Sequence, residues 1–300
     1  MLKLFILLSF LLVGLGLQKL LNINTSTKLS NFLNRFVIYV SLPAMVLIYL
    51  RDIKFNSSFF IPIVTAWGVF AFVVGAVLVL AKIYNLKKET IVATIMLLAF
   101  SNSSFMGFPF TLAFFGSKGL PYAIMYDQLG SFLILSIFGV LILSFVSEKK
   151  VSIASLVKKV ITFPSFIALL FAYIFSDINY PFLVESILKI LATILAPFAL
   201  ISIGLNLHLR VPKNDITPMA LILGLKLIVI PFIVMALFRA FGELDIAKKV
   251  SIFEVAMAPM VTSSMLAIMA GVKPKFIATT LGFGIVLSFV TLLLIYAIIS

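Results

Sequence analysis

The chain has 300 residues, 63% of them hydrophobic and 11% charged, and its 23 Lys and Arg against 10 Asp and Glu give a net charge of +13. Soluble domains run at about 45–50% apolar and about 25% charged residues, and a water-soluble core of this size needs a polar shell that this composition cannot supply. The composition therefore excludes a secreted, cytosolic or nucleic-acid-binding globule, and about ten membrane helices of about 20 residues would leave no room for a soluble enzymatic domain.

Ten apolar segments follow in order, at about 2–21, 33–50, 58–82, 91–115, 119–146, 160–176, 184–207, 216–241, 247–271 and 275–299. The runs are continuous rather than alternating, which predicts helices and excludes a β-barrel. The first opens with Met1-Leu2-Lys3 and continues to Leu21 with no A-x-A-like site after it, so it reads as a retained span. Short polar breaks fall at 22–31, 51–57, 82–90, 147–159, 176–180 and 210–215. Val151, Leu156 and Val157 among Ser and Lys predict a short interfacial helix over 151–159. The chain has no cysteine, which excludes disulfides and thiolate chemistry.

Basic residues divide unequally between the two ends of such a bundle. Lys19, Lys28, Arg35, Lys82, Lys87, Lys88, Lys149, Lys150, Lys158, Lys159, Arg210, Lys213, Lys273 and Lys275 share one side, fourteen in all. Lys3, Arg51, Lys54, Lys118, Lys189, Arg239, Lys248 and Lys249, eight in all, share the side with both termini. The positive-inside rule then places both termini outside the cell membrane.

The two halves of the chain resemble one another. Gly116-Ser117-Lys118 reappears 155 positions later as Gly271-Val272-Lys273, and Leu42-Pro43-Ala44 has a counterpart 154 positions on in Ala196-Pro197-Phe198. Residues 1–150 and 151–300 would each hold five spans, and an odd number inserts the second half in the opposite sense.

Two spans are poor continuous helices. The fourth holds Ser101-Asn102-Ser103-Ser104-Phe105-Met106-Gly107-Phe108-Pro109, and the ninth holds Glu254 to Ser264 with Pro259 in its middle. Backbone groups freed at membrane depth must be satisfied by protein, water or ligand, and matching interruptions in two halves point to a transport site. The alternative is a pair of packing kinks. Three ionisable residues also fall inside spans: Asp127, Lys226 and Glu254. Each needs a partner, a wet cavity or a bound ion. They read as a coupling-ion or proton site with Lys226 as counter-charge, or as an ion pair locking helices together. The lone His208 sits beside Arg210 at a span end, as an interfacial residue would. Nothing groups two deep aspartates, a nucleophile with a base, or a cluster of metal ligands.

Several motifs resemble those of the auxin efflux carrier family. They are Asn34 with Val37-Ile38-Tyr39-Val40-Ser41-Leu42-Pro43-Ala44, Asn102 with Phe105-Met106-Gly107-Phe108-Pro109, Ala196-Pro197-Phe198-Ala199 with Gly204-Leu205-Asn206, and Ala258-Pro259. One departure is Phe163 before Pro164, where the family often has Asn. The short 147–159 loop resembles the compact prokaryotic type. The resemblance implies an all-α polytopic membrane protein of ten transmembrane helices in two inverted five-helix repeats, with broken helices 4 and 9 crossing at their prolines. It implies a dimeric scaffold of helices 1, 2, 6 and 7 and a moving transport unit of helices 3–5 and 8–10. Family members carry organic anions such as auxin, malate or malonate. Ser101-Asn102 and Glu254-Val255-Ala256-Met257 are also similar to the sodium-site segments of the bile acid:sodium symporter family, although Ala258-Pro259 replaces that family's Gln-Asn.

The expectation is a non-enzymatic secondary transporter of small organic carboxylates with an elevator-type motion. Asn102, Ser103, Pro109, Pro259 and Val261 would bind the anion, with backbone amides near the two prolines. Ser101, Asn102, Asp127, Glu254 and Lys226 would couple an ion or proton; no cofactor is expected, unless the ion is Na⁺, which Ser101, Asn102 and Glu254 would hold. A uniporter or channel, and a transporter-like receptor, are the alternatives.

Overall fold

The computed structural model describes residues 2–51, 56–146, 158, 160–175 and 180–300. The interfacial helix expected over 151–159 falls, Lys158 apart, outside them. All regular elements among the described residues are helical: α1 (Leu2–Leu20), α2 (Ile23–Leu50), α3 (Ser57–Tyr84), α4 (Lys88–Leu98), α5 (Ser103–Ser144), α6 (Pro164–Ile174), α7 (Phe182–Leu205), α8 (Lys213–Ala240), α9 (Ile246–Val255), α10 (Val261–Met269) and α11 (Pro274–Ile299). Seven of them, α1, α2, α3, α5, α7, α8 and α11, are long and apolar enough to cross a membrane. The chain is a multi-pass membrane protein.

α2 starts about ten residues before the apolar segment expected at 33–50. The polar stretch 22–31 is helical because Asn22 caps it, its side chain accepting from Thr25 N. Ser26, Ser30 and Leu33 recur at helical spacing and are buried, so the inward face of this turn consists largely of hydroxyls. Hydropathy could not register it.

At 42 residues α5 would run about 63 Å if straight, twice the about 30 Å of a bilayer's hydrocarbon core. It does not run straight. Ser103 and Ser104 donate to Asp127 Oδ1 at 2.6 and 2.5 Å, across 24 and 23 residues of sequence. The chain therefore reverses between them, at Gly116, whose φ of 67° and ψ of −165° interrupt the helix. A positive φ costs little for glycine, which has no Cβ. Gly271 also has a positive φ, 78°.

Three prolines share one local solution. Pro43, Pro109 and Pro231 each stand two residues after a five-residue π turn, at Val37–Ser41, Ser103–Gly107 and Leu225–Val229 respectively. A proline ring clashes with the carbonyl four residues back and offers no N–H to it. The wider i→i+5 turn moves that carbonyl away, so the helix passes through the proline unbroken.

α1 and α7 meet backbone to backbone at Gly14 and Gly204. A Cβ on Gly14 would lie 2.9 Å from Gly204 Cα, and a Cβ on Gly204 would lie 2.8 Å from Gly14 Cα. Small residues let membrane helices pack backbone to backbone, where lipid supplies no hydrophobic drive. α2 joins this pair through a polar cluster in which Ser30 and Ser202 are buried. Ser30 and Ser202 hydroxyls lie 3.0 Å apart, Ser202 Oγ donates to Asn34 Oδ1 at 2.6 Å, and Asn206 Nδ2 donates to Ser30 Oγ.

Loop contacts sort into two ends. Lys3 Nζ donates to Ala113 O, Tyr296 OH to Phe114 O and Lys249 Nζ to Ser300 O, which gathers both termini and the Gly116 bend at one end. At the other, Gln18 Nε2 donates to Leu207 O, Lys273 Nζ to Thr90 Oγ1 and Thr279 Oγ1 to Arg210 O.

Replacing Gly14 with Leu should overpack the α1–α7 contact and cost about 1–3 kcal/mol, read as a lower unfolding temperature in detergent. Gly16→Leu is the control, because a Cβ there meets nothing within 4 Å, and it should leave the temperature unchanged.

Candidate functional site

α4 ends at Leu98 and α5 begins at Ser103, while α9 ends at Val255 and α10 begins at Val261. The two gaps meet. Ser101 and Pro259 form an isolated antiparallel bridge. Asn102 N donates to Ala258 O at 3.0 Å, and Met260 N donates to Phe100 O at 3.1 Å. Each gap thus satisfies backbone groups of the other, as a buried segment in lipid must. Residues 99–103 and 252–260 are all buried. Four half-helix ends converge on the bridge: the carbonyl ends of α4 and α9, and the amide ends of α5 and α10.

The three ionisable residues expected inside spans surround this crossing, each with its own arrangement. Asp127 is 1% exposed and has both oxygens engaged, Oδ1 by Ser103 and Ser104 and Oδ2 by Gln128 Nε2 at 2.7 Å. Its charge thus lies at the amide end of α5, where a helix dipole favours an anion. Lys226, fully buried in the π turn of α8, donates to Ser101 Oγ at 2.8 Å. That hydroxyl donates to Val255 O at 3.4 Å and lies 3.5 Å from Tyr126 OH. Glu254, also fully buried, accepts from Thr111 Oγ1 at 2.8 Å through Oε1, while Oε2 has no hydrogen-bond partner in the protein. A Cβ on Gly107 would stand 2.7 Å from Glu254 Oε1, so the glycine makes room for the carboxylate.

The expected ion pair of Lys226 with a buried carboxylate is not formed. Among the described residues ion pairs gather at Glu185, with Arg51 at 3.2 Å and Lys189 at 2.5 Å. The reason is local: Asp127 is filled by three donors, Glu254 turns to Thr111 on α5, and Ser101 is the partner the ammonium reaches.

A second correction concerns the prolines. Pro259 lies in the gap, but Pro109 does not; it sits inside continuous α5, seven residues after the last residue of its gap, Asn102. The π turn before it removes the clash that would have broken the helix. Free amides therefore do not flank Pro109. A helix leaves its first N–H groups without intrahelical partners, and in α10 these start at half-buried Val261. Pro109 instead lines a cavity of about 620 Å³ between α1, α2, α7 and the first turns of α5, with Lys3, Phe10, Met45, Tyr49 and Pro197.

Ser101, Asn102, Ser103, Pro259, Asp127, Glu254 and Lys226 thus collect at one crossing, with Val261 at the start of α10. Asn102 is 2% exposed and its Nδ2 has no hydrogen-bond partner. A buried donor on Asn102 and a buried acceptor on Glu254 are unsatisfied on either side of the bridge, and Gln128 Oε1, beside Asp127, is a further unsatisfied acceptor. His208 is exposed, as expected, and lines a cavity of about 960 Å³ at the opposite end with Gln18, Lys19, Arg210 and Lys275. Sequence reasoning missed Tyr126, Gln128, Ser104, Thr111 and Gly107. The first two adjoin Asp127 in sequence and were open to suspicion; Thr111 and Gly107 serve Glu254 across the fold and left no signal.

The profile described as "Membrane transport protein" matches residues 1–296. An uncharacterized transporter of Methanothermobacter thermautotrophicus is 28% identical over 269 residues, covering 87% of this chain and 86% of its own. An uncharacterized transporter of Methanocaldococcus jannaschii is 23% identical over 266 residues, covering 84% of each.

Thr111→Val should leave Glu254 without its donor, at a cost of about 1–3 kcal/mol in thermal unfolding. Thr111→Ser, which keeps the hydroxyl, should recover most of the loss.

Proposed function

The chain belongs to the membrane transport protein family, the auxin efflux carrier-like transporters, and on that premise we propose that it is a secondary active transporter of small organic carboxylates across the cell membrane. The observation that carries the reading is an unsatisfied donor and an unsatisfied acceptor on opposite sides of the bridge, Asn102 Nδ2 and Glu254 Oε2. Unpaired polar atoms in a dry site are costly, and a cargo carboxylate and a cation would satisfy one each. Asn102 and the first amides of α10 would receive the carboxylate; the hydroxyl of Ser103 is committed to Asp127. The cation, Na⁺ or H⁺, would be taken by Glu254 with Ser101 and Asn102, while Asp127 anchors the start of α5. The family is one of transporters and not an enzyme class.

We further read ten crossings in the helices. α4 with the first part of α5, up to Gly116, makes the fourth, the rest of α5 the fifth, and α9 with α10 the ninth. Two inverted halves, 1–150 and 151–300, are supported by the positive φ of Gly116 and Gly271, 155 residues apart, and by the paired gaps. α1, α2, α6 and α7 would form the dimeric scaffold, bound internally by the Gly14–Gly204 contact and the Ser30–Ser202 cluster. α3–α5 and α8–α11 would move as one body, held by the bridge and by Trp67 Nε1 donating to Leu129 O at 3.0 Å. The 620 Å³ cavity lies along the seam between these groups, as a cargo path for an elevator motion would. Both termini would face outside.

Thermal shift with mono- and dicarboxylates, with and without Na⁺, identifies cargo, and counterflow of that cargo in proteoliposomes tests the reading. Saturable counterflow is expected; flux without saturation would indicate a channel, and binding without flux a receptor. Asn102→Ala should abolish carboxylate-induced stabilisation, and unchanged binding would remove Asn102 from the site. Glu254→Gln should abolish any dependence of transport on a cation.

A further inference from the structure

The buried charges at the crossing differ in how completely they are answered. Asp127 has three donors, and Glu254 keeps one oxygen free. Lys226 has a single hydrogen bond, to Ser101 Oγ. Ser101 stands three residues beyond Leu98, the last residue of α4, and its hydroxyl donates to the carbonyl of Val255, the last residue of α9. Ammonium, hydroxyl and carbonyl form one chain. Two helix carbonyl ends, each carrying about half a negative charge, thus face one buried positive charge.

Ser101 Oγ already has three polar neighbours. A hydroxyl offers one hydrogen and two lone pairs. The hydrogen goes to Val255 O, one lone pair receives Lys226 Nζ, and Tyr126 OH lies 3.5 Å away. A metal ion ligated by this hydroxyl would have to stand where the ammonium stands. Lys226 is held there by its own element, since it lies in the π turn that admits Pro231.

We propose that Lys226 is the resident cation of the crossing: its ammonium holds the place at Ser101, beside the carbonyl ends of α4 and α9, that a bound Na⁺ would hold, so Ser101 ligates no metal and transport needs no Na⁺. The inference rests on the transporter reading of the same crossing and chooses among its ions. Lys226 acts as a positioning residue, through Ser101 and the helix ends.

The test measures thermal unfolding of the full chain in detergent, in NaCl against choline chloride at equal ionic strength. Wild type should unfold at the same temperature in both salts. Lys226→Ala should unfold lower in choline chloride and recover by several degrees as Na⁺ replaces choline, because the emptied place then accepts the metal. Lys226→Ser carries the same expectation if the alanine variant does not fold. Stabilisation of the wild type by Na⁺ would overturn the proposal, and so would a variant equally low in both salts. The readout uses salt alone and needs no cargo, so its failure and a failure of counterflow are distinguishable.

Discussion

Hydrocarbon offers nothing to a free N–H or C=O, and everything distinctive about this fold follows from how that demand is met at one place. Two helices stop in mid-span, and the gap in each is closed by the gap in the other through Asn102 N to Ala258 O and Met260 N to Phe100 O. Neither gap could exist alone. Pairing also fixes the geometry of what surrounds it, because the four half-helix ends around the bridge have a set polarity. Carbonyl ends draw a positive charge and amide ends a negative one. Lys226 answers the first through Ser101 and Asp127 answers the second through Ser103 and Ser104. Glu254 fits neither pattern: it extends past the end of α9 to Thr111 and keeps an oxygen free. Of the two buried carboxylates it is the one whose hydrogen-bonding capacity is not filled within the protein.

Elsewhere in the fold the contacts are of a different kind. α1, α2 and α7 meet through glycines and hydroxyls, by backbone proximity and short polar bridges. A surface built of small residues is smooth on the scale of a side chain. The crossing, by contrast, is tied by main-chain hydrogen bonds from both sides. Between the crossing and α1 and α7 lies the open volume near Pro109 and Pro197.

Much of this was legible in the residues. The two interruptions and the three deep ionisable residues stand out in the sequence, and they lie together because each is costly in lipid and persists only with a partner. The rest was hidden for identifiable reasons. The first turns of α2 are polar on their buried face, so hydropathy counted them as loop. Pro109 signalled a break that a π turn prevents, since periodicity does not distinguish a kinked helix from an accommodated one. The partner of Lys226 could not be chosen from charge alone: the carboxylates had prior hydrogen bonds, and a serine was nearer.

The π turns before Pro43, Pro109 and Pro231 tie two kinds of genetic change together. A π turn is an α-helix with one residue inserted, and here the insertion and the proline excuse one another. Losing the proline alone would leave a surplus residue that rotates every downstream side chain by about 100° unless the bulge survives without its cause. Deleting the residue alone would drive the ring into the carbonyl behind it. Among related chains, a proline gained at one of these positions should therefore arrive with a one-residue insertion ahead of it, whereas the π turns at Tyr126–Ser131 and Leu135–Gly139 persist without any proline.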